Sequence, residues 1–391
     1  MSAVAERVEH AAGWMESPGF GVYIHIPFCL HRCHYCDFNT YANQADLHGA
    51  YVAALVDEIR RCRTDLGPAT SVFFGGGTPT LLAPSALADI LAAVEESIGI
   101  VEGAEVTAEA NPETVSEPAF EELLHAGFNR FSIGVQSLSA PILARLGRSH
   151  SPATALDALA AARRAGAGNL NADLIYGSPW ERPEDWSASL DGVLGAGPDH
   201  ISAYALTVED GTPLATLVAS GREADVDPDT QAERFSVATE RLAAAGLRRY
   251  EISNWARPGA ESLHNLLYWS AGDYLGFGAG AHSHVGGRRS WSLRLPRELI
   301  TAISARRSTE AGHEDLTPDE RAGEALMLGL RLASGIDLHG FERRFGAEAL
   351  ATRYRAMETL LGQGLLERRG VILRLSARAT LLANEVACRL L

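Results

Sequence analysis

The chain has 391 residues, of which 46% are hydrophobic and 21% charged, and it carries a net charge of −15. That is enough apolar sequence to bury a barrel-sized core plus a smaller one, and the acidity weighs against a general nucleic-acid binder, which is more often basic. Three of the five cysteines are clustered, so they make no disulfide framework; Met1 to Gly19 lacks the apolar centre of a signal peptide, and no apolar run approaches the ~20 residues of a membrane span, so the sequence predicts a cytoplasmic, reducing location.

After a tail over residues 1–20, β-type runs alternate with helical patterns from Gly21 to about Asn254. The first run, Val22–Ile26, leads into a loop in which Cys29, Cys33 and Cys36 follow a C-x3-C-x2-C spacing. Three thiolates this close can wrap one [4Fe–4S] cube and leave an iron open, whereas electron-transfer clusters use four cysteines. Zinc is the rival, because its structural sites need four ligands and His31 and His34 lie in the same loop. The next strand, Ser71–Phe74, runs into Gly75-Gly76-Gly77-Thr78-Pro79-Thr80, where consecutive glycines let backbone approach a ligand closely. Further strands are predicted over Glu105–Ala110, Arg130–Val135, Asn169–Tyr176, His200–Leu206 and Arg249–Ile252. Amphipathic stretches such as Ala50–Leu66 and Pro84–Ile98 separate them, and Ser151-Pro152 opens another helix as N-cap and first turn. This alternation argues for a parallel sheet with helices outside it and places chemistry at the C-terminal strand ends. Glu109, Gln136 and Asp173 fall at or near those ends. A carboxylate inside a strand, as at Asp173, is costly unless a ligand or a partner meets it; ribose hydroxyls and Arg148 are the two alternatives.

The segment 255–308 holds His264-Asn265-Leu266-Leu267-Tyr268-Trp269, then a Gly-rich run, Gly272 to Gly287, without a helical period. Arg288, Arg289, Arg294 and Arg297 follow and read as a solvated surface. The segment 309–391 opens with a polar linker, Thr309–Thr317, and turns helical over Pro318–Leu332, Leu338–Phe345 and Ala347–Gly362. Two short β-type runs, Leu365–Glu367 and Val371–Leu375, and a last helix from Ser376 complete a winged-helix-like pattern. Cys62 and Cys388 read as ordinary buried thiols.

The cysteine loop from Tyr23 to Phe38, the Gly75–Thr80 turn, Ile133–Gln136, Asp173–Gly177 and the H-N-x-x-Y-W motif at His264 together resemble the coproporphyrinogen III oxidase-like branch of the radical S-adenosylmethionine (SAM) family, over roughly residues 20–390. The resemblance implies an α/β fold, a partial (βα)6 barrel with a C-terminal helical, winged-helix-like domain. It implies a [4Fe–4S] cluster on Cys29, Cys33 and Cys36, with SAM chelating the open iron, and in the family the reduced cluster cleaves SAM to a 5′-deoxyadenosyl radical. Tyr23, Tyr35, Gly76, Gly77, Thr78, Glu109, Gln136, Arg148 and Asp173 match SAM-pocket positions. The decarboxylases of the family resemble C-x3-C-x2-C-x-C and carry a longer amino-terminal arm; here Phe38 stands at the fourth cysteine position. That departure favours the haem-chaperone branch, with haem and an acceptor haemoprotein, such as a membrane respiratory complex, as partners, no nucleic acid, no integral membrane segment and no assigned catalytic residue. Oxidative decarboxylation of coproporphyrinogen III is the alternative, and tRNA modification a third reading that the charge disfavours. Oligomeric state is left open. His264 is the expected axial haem ligand, with Tyr268, Trp269 and Arg288 or Arg289 lining the pocket; His282 and His284 are lesser candidates, and the competing reading of His264 is a buried, hydrogen-bonded core residue.

Overall fold

The computed structural model describes residues 13–391, so most of the expected tail over 1–20, and with it the signal-peptide reading, lies outside the described residues. Six parallel strands run in chain order through one sheet: β1 (Phe20–Ile26), β2 (Ala69–Gly76), β3 (Ile100–Ala110), β4 (Arg130–Gln136), β5 (Asn169–Tyr176) and β6 (His200–Ala205). Each expected strand through His200 lies at its place in this series. The crossovers carry helices such as His48–Arg61, Pro84–Ser97, Glu117–His125, Pro152–Arg164 and Pro183–Gly195. Ser151 caps Pro152–Arg164 by accepting from the Thr154 amide at 3.1 Å, as its sequence predicts. The strands are buried nearly throughout because helices and the barrel interior cover both faces.

The expected strand over Arg249–Ile252 does not continue the parallel series. Only Arg248–Arg249 is extended, and β7 (Asn254–Ala256) turns back antiparallel to β6. The cause is Glu251, wholly buried, whose carboxylate accepts from the Ser253 amide at 2.8 Å and from Asn254 Nδ2 at 2.5 Å and so closes a tight turn. The seventh parallel strand is β8 (Asp273–Phe277), drawn from the Gly-rich run and paired to the other side of β1. A meander extends the sheet from there through β9 (His282–Val285), β10 (Arg288–Ser292) and β11 (Glu310–Asp315). Thr309–Thr317 is thus not a linker: its polar side chains belong to an exposed edge strand, which needs only backbone pairing on one side.

The C-terminal segment forms its own core. Thr317 and Glu320 make a reciprocal capping box at the start of helix Pro318–Gly329. Strand Ile336–Asp337, helices Leu338–Phe345 and Tyr354–Gly362, and the hairpin Leu366–Arg369/Ile372–Leu375 follow, in winged-helix order. Tyr250, Ala256, Leu266 and Leu332 pack together where this unit meets the barrel. Cys388 is exposed rather than buried, and Cys62 partly so. Among the described residues no helix is long and apolar enough to cross a membrane.

Candidate cluster and cofactor site

The cysteine loop leaves β1 and folds over the C-terminal ends of the strands. Phe28–Cys29 pairs with Tyr41–Ala42, the Gly77 amide donates to Ile26 O and the Thr78 amide to Phe28 O, each at 2.8 Å. Glycine is required at this crossing: a Cβ on Gly77 would lie 2.6 Å from Phe28 O, and one on Gly76, at φ +105°, would run into the His25 ring. The loop and the glycine turn thereby close a cavity of about 130 Å³, lined by Cys29, Cys33, Cys36, Tyr35, Gly76, Gly77, Thr78, Glu109, Arg148 and Asp173. Nearly all the residues singled out from sequence meet here.

Two do not. Tyr23 lies just outside, its hydroxyl bonded to His25 Nδ1 at 2.9 Å, and it lines the neighbouring cleft. Gln136 sits behind the wall, beside Gly134 and Arg148, at a register shift between Gly134 and Gln136 and with φ +64°. A non-glycine residue in that region is strained.

Polar groups converge on the thiols. Thr78 Oγ1 donates to Cys29 Sγ at 3.6 Å and Arg148 Nη1 to Cys33 Sγ at 3.5 Å. Asn111, which the sequence reading passed over, ties these donors together: its Nδ2 donates to Thr78 Oγ1 at 2.9 Å and its Oδ1 accepts from Arg148 Nη2 at 2.6 Å. The signal was available in Asn111-Pro112, directly after the strand carrying Glu109. Arg148 also reaches Gly134 O at 3.0 Å, and its Nε is buried without a partner. Arg148 does not pair with Asp173, which instead accepts from Ser132 Oγ at 2.9 Å and Asn171 Nδ2 at 2.7 Å. Burial lifts the Cys29 thiol to about 11 and raises Cys36, so iron would have to displace protons on binding. Burial, and then the neighbouring Asp173, lift Glu109 to about 8 even though it accepts from the Gly76 amide at 3.1 Å. Burial raises Asp173 as well.

This donor set fits a cluster better than a single ion. Zinc needs its donors within about 2.3 Å of one point, and among the described residues no three Cys, His, Asp or Glu side chains are gathered that way. The three thiols instead line the wall of one cavity beside an arginine, which suits a larger anionic group, and His34 Nδ1 is engaged by Arg145 O at 2.9 Å.

Through Gly76, Glu109 and Phe38 the small cavity shares its wall with a cleft of about 800 Å³ at the barrel mouth. Tyr268 and Tyr274 separate that cleft from a third cavity of about 340 Å³ against the C-terminal unit. His264 faces none of the three. It is 1% exposed, stacks on Phe73, and hydrogen-bonds Ser71 Oγ through Nδ1 at 2.8 Å and the Tyr268 hydroxyl through Nε2 at 2.9 Å. Burial pushes it down to about 3, which keeps it neutral. Its short helix, Leu263–Trp269, is held by Glu105, which accepts from Ser262 Oγ and from the Leu263 and His264 amides. The axial-ligand expectation for His264 is therefore corrected to that of a buried, fully hydrogen-bonded residue of the core. The expected arginines are also committed elsewhere: Arg288 pairs with Glu310 and Asp315, and Arg289 with Glu314 and Glu324. Trp269 and Tyr268 do line the third cavity, Trp269 beneath the Arg331 guanidinium at 4.4 Å.

The Radical SAM superfamily model matches residues 23–191 and the HemN C-terminal domain model residues 316–382. The chain is 42% identical to the heme chaperone HemW of Mycobacterium tuberculosis, covering 97% of each chain. It is 33% identical to the heme chaperone HemW of Bacillus subtilis, covering 93% of this chain and 97% of that one. The structure of coproporphyrinogen III oxidase (HemN) from Escherichia coli, a radical SAM enzyme, superposes with a TM-score of 0.81 at 22% identity over 98% of this chain and 93% of that one, a likeness of fold.

Proposed function

The chain belongs to the radical SAM family of the HemW proteins, and from that premise we propose that it is a cytoplasmic haem chaperone, holding a [4Fe–4S] cluster and SAM beside a bound haem that it passes to an acceptor haemoprotein. Cys29, Cys33 and Cys36 would hold the cluster, with Thr78 and Arg148 donating to its sulfur ligands. When bound, the pair supplies reductive cleavage of a sulfonium C–S bond. Gly76 and Gly77 leave room for the amino-acid end of SAM, and Glu109 stands at the same edge for its cationic groups. Asp173, whose oxygens Ser132 and Asn171 orient, would take the ribose hydroxyls. Tyr35 covers the side toward Ile142 and Leu146.

The observation that carries the reading is Phe38, 64% exposed on the wall common to the small cavity and the 800 Å³ cleft, where the decarboxylases have a cysteine. An apolar ring there suits a flat apolar ligand and supplies no fourth thiol. The test is anaerobic reconstitution followed by two incubations. Haem-loaded protein mixed with an apo-haemoprotein should lose haem to it. Incubation with coproporphyrinogen III, SAM and a reductant should leave the substrate intact. Protoporphyrinogen formed at catalytic turnover would replace this reading with the decarboxylase.

A further inference from the structure

We infer that the haem iron is ligated by His282, in the 800 Å³ cleft at the barrel mouth, with Arg294 bound to a propionate; the inference rests on the haem-chaperone reading and gives that reading its ligand site. Two histidines line this cleft. His25 has both ring nitrogens engaged, by the Tyr23 hydroxyl at 2.9 Å and Asn39 O at 3.0 Å. His282 is exposed, and among the described residues neither of its nitrogens has a hydrogen-bond or ion-pair partner. Burial, and then Arg289 and Arg294, lower its pKa, which favours the neutral imidazole that an iron ligand requires.

The scaffold holds that ring in place. His282 and Trp291 are cross-strand partners on β9 and β10, with ring centroids 5.8 Å apart and planes at 30°. A stacked indole limits imidazole rotation, which an axial ligand needs. Arg294 lies just beyond β10, exposed at the cleft, and unlike Arg288, Arg289 and Arg297 it pairs with no carboxylate among the described residues. A guanidinium that meets only the Asn39 amide oxygen, at 3.5 Å from Nε, and no carboxylate suits an anionic edge on an otherwise apolar disc at the rim of an aromatic cleft. The volume lies in the upper part of the range of about 300–1,000 Å³ for small-molecule sites. The 340 Å³ cavity is a poorer candidate: it is less than half the volume, its histidine, His284, lies 3.5 Å from Asp273, and of its two arginines Arg289 is neutralised by two glutamates, leaving Arg321. The cleft is also tied to the cluster loop, because Asn39 Nδ2 donates to Ala279 O at 2.9 Å and Arg294 O at 3.0 Å, and Tyr41 donates to Arg294 O at 3.1 Å.

The experiment titrates the cluster-reconstituted full chain with haemin and, in parallel, with iron-free protoporphyrin IX. His282→Ala should shift the Soret band and weaken haemin binding by about tenfold or more, while protoporphyrin IX binds as to the parent chain. Arg294→Ala should weaken both ligands without moving the Soret band. His264→Ala should leave the haemin spectrum unchanged. A parent-like haemin spectrum in His282→Ala overturns the assignment and leaves haem carriage standing. If His282→Ala does not fold, His282→Met decides: a changed axial-ligand spectrum supports the assignment and an unchanged one overturns it. A parent chain that binds no haemin overturns the chaperone reading itself, an outcome distinct from both.

Discussion

The cysteine loop and the H-N-x-x-Y-W helix are equally conspicuous in sequence and opposite in physical character. Around the cysteines, polar groups are brought together and left incompletely satisfied: thiols held protonated by burial, an arginine with an orphaned Nε, two carboxylates raised above their ordinary range. Around His264 both ring nitrogens and the first helix amides are answered within the protein, and the orphaned donors nearby, Trp269 Nε1 and Arg130 Nε, belong to side chains packed under Arg331 and beside Glu105. Buried polar groups cost free energy until they are paired. A constellation that leaves them open is built for a ligand, and one that closes them is built to hold a fold. The second kind also serves the first. His264 bonds Ser71 on β2, which ends in the glycine turn, and Glu105 lies on β3, which ends near Glu109.

The largest effect that sharpens this contrast is loss of the cluster. Reconstituted protein should carry about four iron and four sulfide per chain. Cys29→Ala, Cys33→Ala and Cys36→Ala should each lose most of both, whereas Cys62→Ala and Cys388→Ala retain them. Equal iron loss in Cys62→Ala would show the ligand set to be wrong.

Substitution of Glu105 should do the reverse, lowering stability and sparing chemistry. Its carboxylate caps the helix of His264 and lies 3.8 Å from the buried Arg130. Glu105→Ala leaves that guanidinium without its counter-charge, which costs about 3 kcal/mol, read as a lowered urea midpoint. Iron bound per folded chain should not change. Cluster loss in step with stability would mean that the clasp and the site are one unit.

Glu109 gives a pH-dependent test. Its folded pKa of about 8 lies above an unfolded value of about 4.3, so the folded state binds the extra proton. The resulting stability is complete below the unfolded pKa and is lost as pH rises through the folded one. Its slope approaches about 1.4 kcal/mol per pH unit in between, or about 2 kcal/mol from pH 6 to 7.5. Urea unfolding of SAM-free protein should show this fall, and Glu109→Gln should flatten it. Identical pH profiles for the two proteins would place the Glu109 carboxyl in water.

The sequence was most legible where one residue type has one use. Three closely spaced cysteines and a triple glycine located the site, and six apolar-rich runs located the strands, because parallel strands are buried on both faces even where, as in β4, polar residues interrupt the run. The seventh parallel strand was hidden, since β8 carries two glycines' worth of turn on its flanks and pairs with β1 across more than 240 residues of chain. The edge strand β11 reads as a linker because an exposed edge needs no apolar face. His264 was misread for a different reason. A histidine near aromatics has the same local sequence whether it binds iron or fills a core, and only Ser71, some 190 residues away and bonded to Nδ1, separates the two. His282 carried the weaker motif and has the open ring.

The smallest effect tests how finely the open constellation is tuned. Asp173 lines the cavity with its oxygens set by Ser132 and Asn171, and it makes no ion pair among the described residues. Asp173→Ala should therefore weaken SAM binding about tenfold, or about 1.4 kcal/mol, the scale of one charge-assisted hydrogen bond. Adding SAM to the reduced cluster should still perturb its EPR signal, at a higher SAM concentration, and iron content should match the parent chain. Asp173→Asn keeps an acceptor for one hydroxyl and should fall between the two. If both variants bind SAM as the parent does, the carboxylate serves only the buried network of Ser132, Asn171 and Ser202, and the open character of this wall would rest on Glu109 and Arg148 alone.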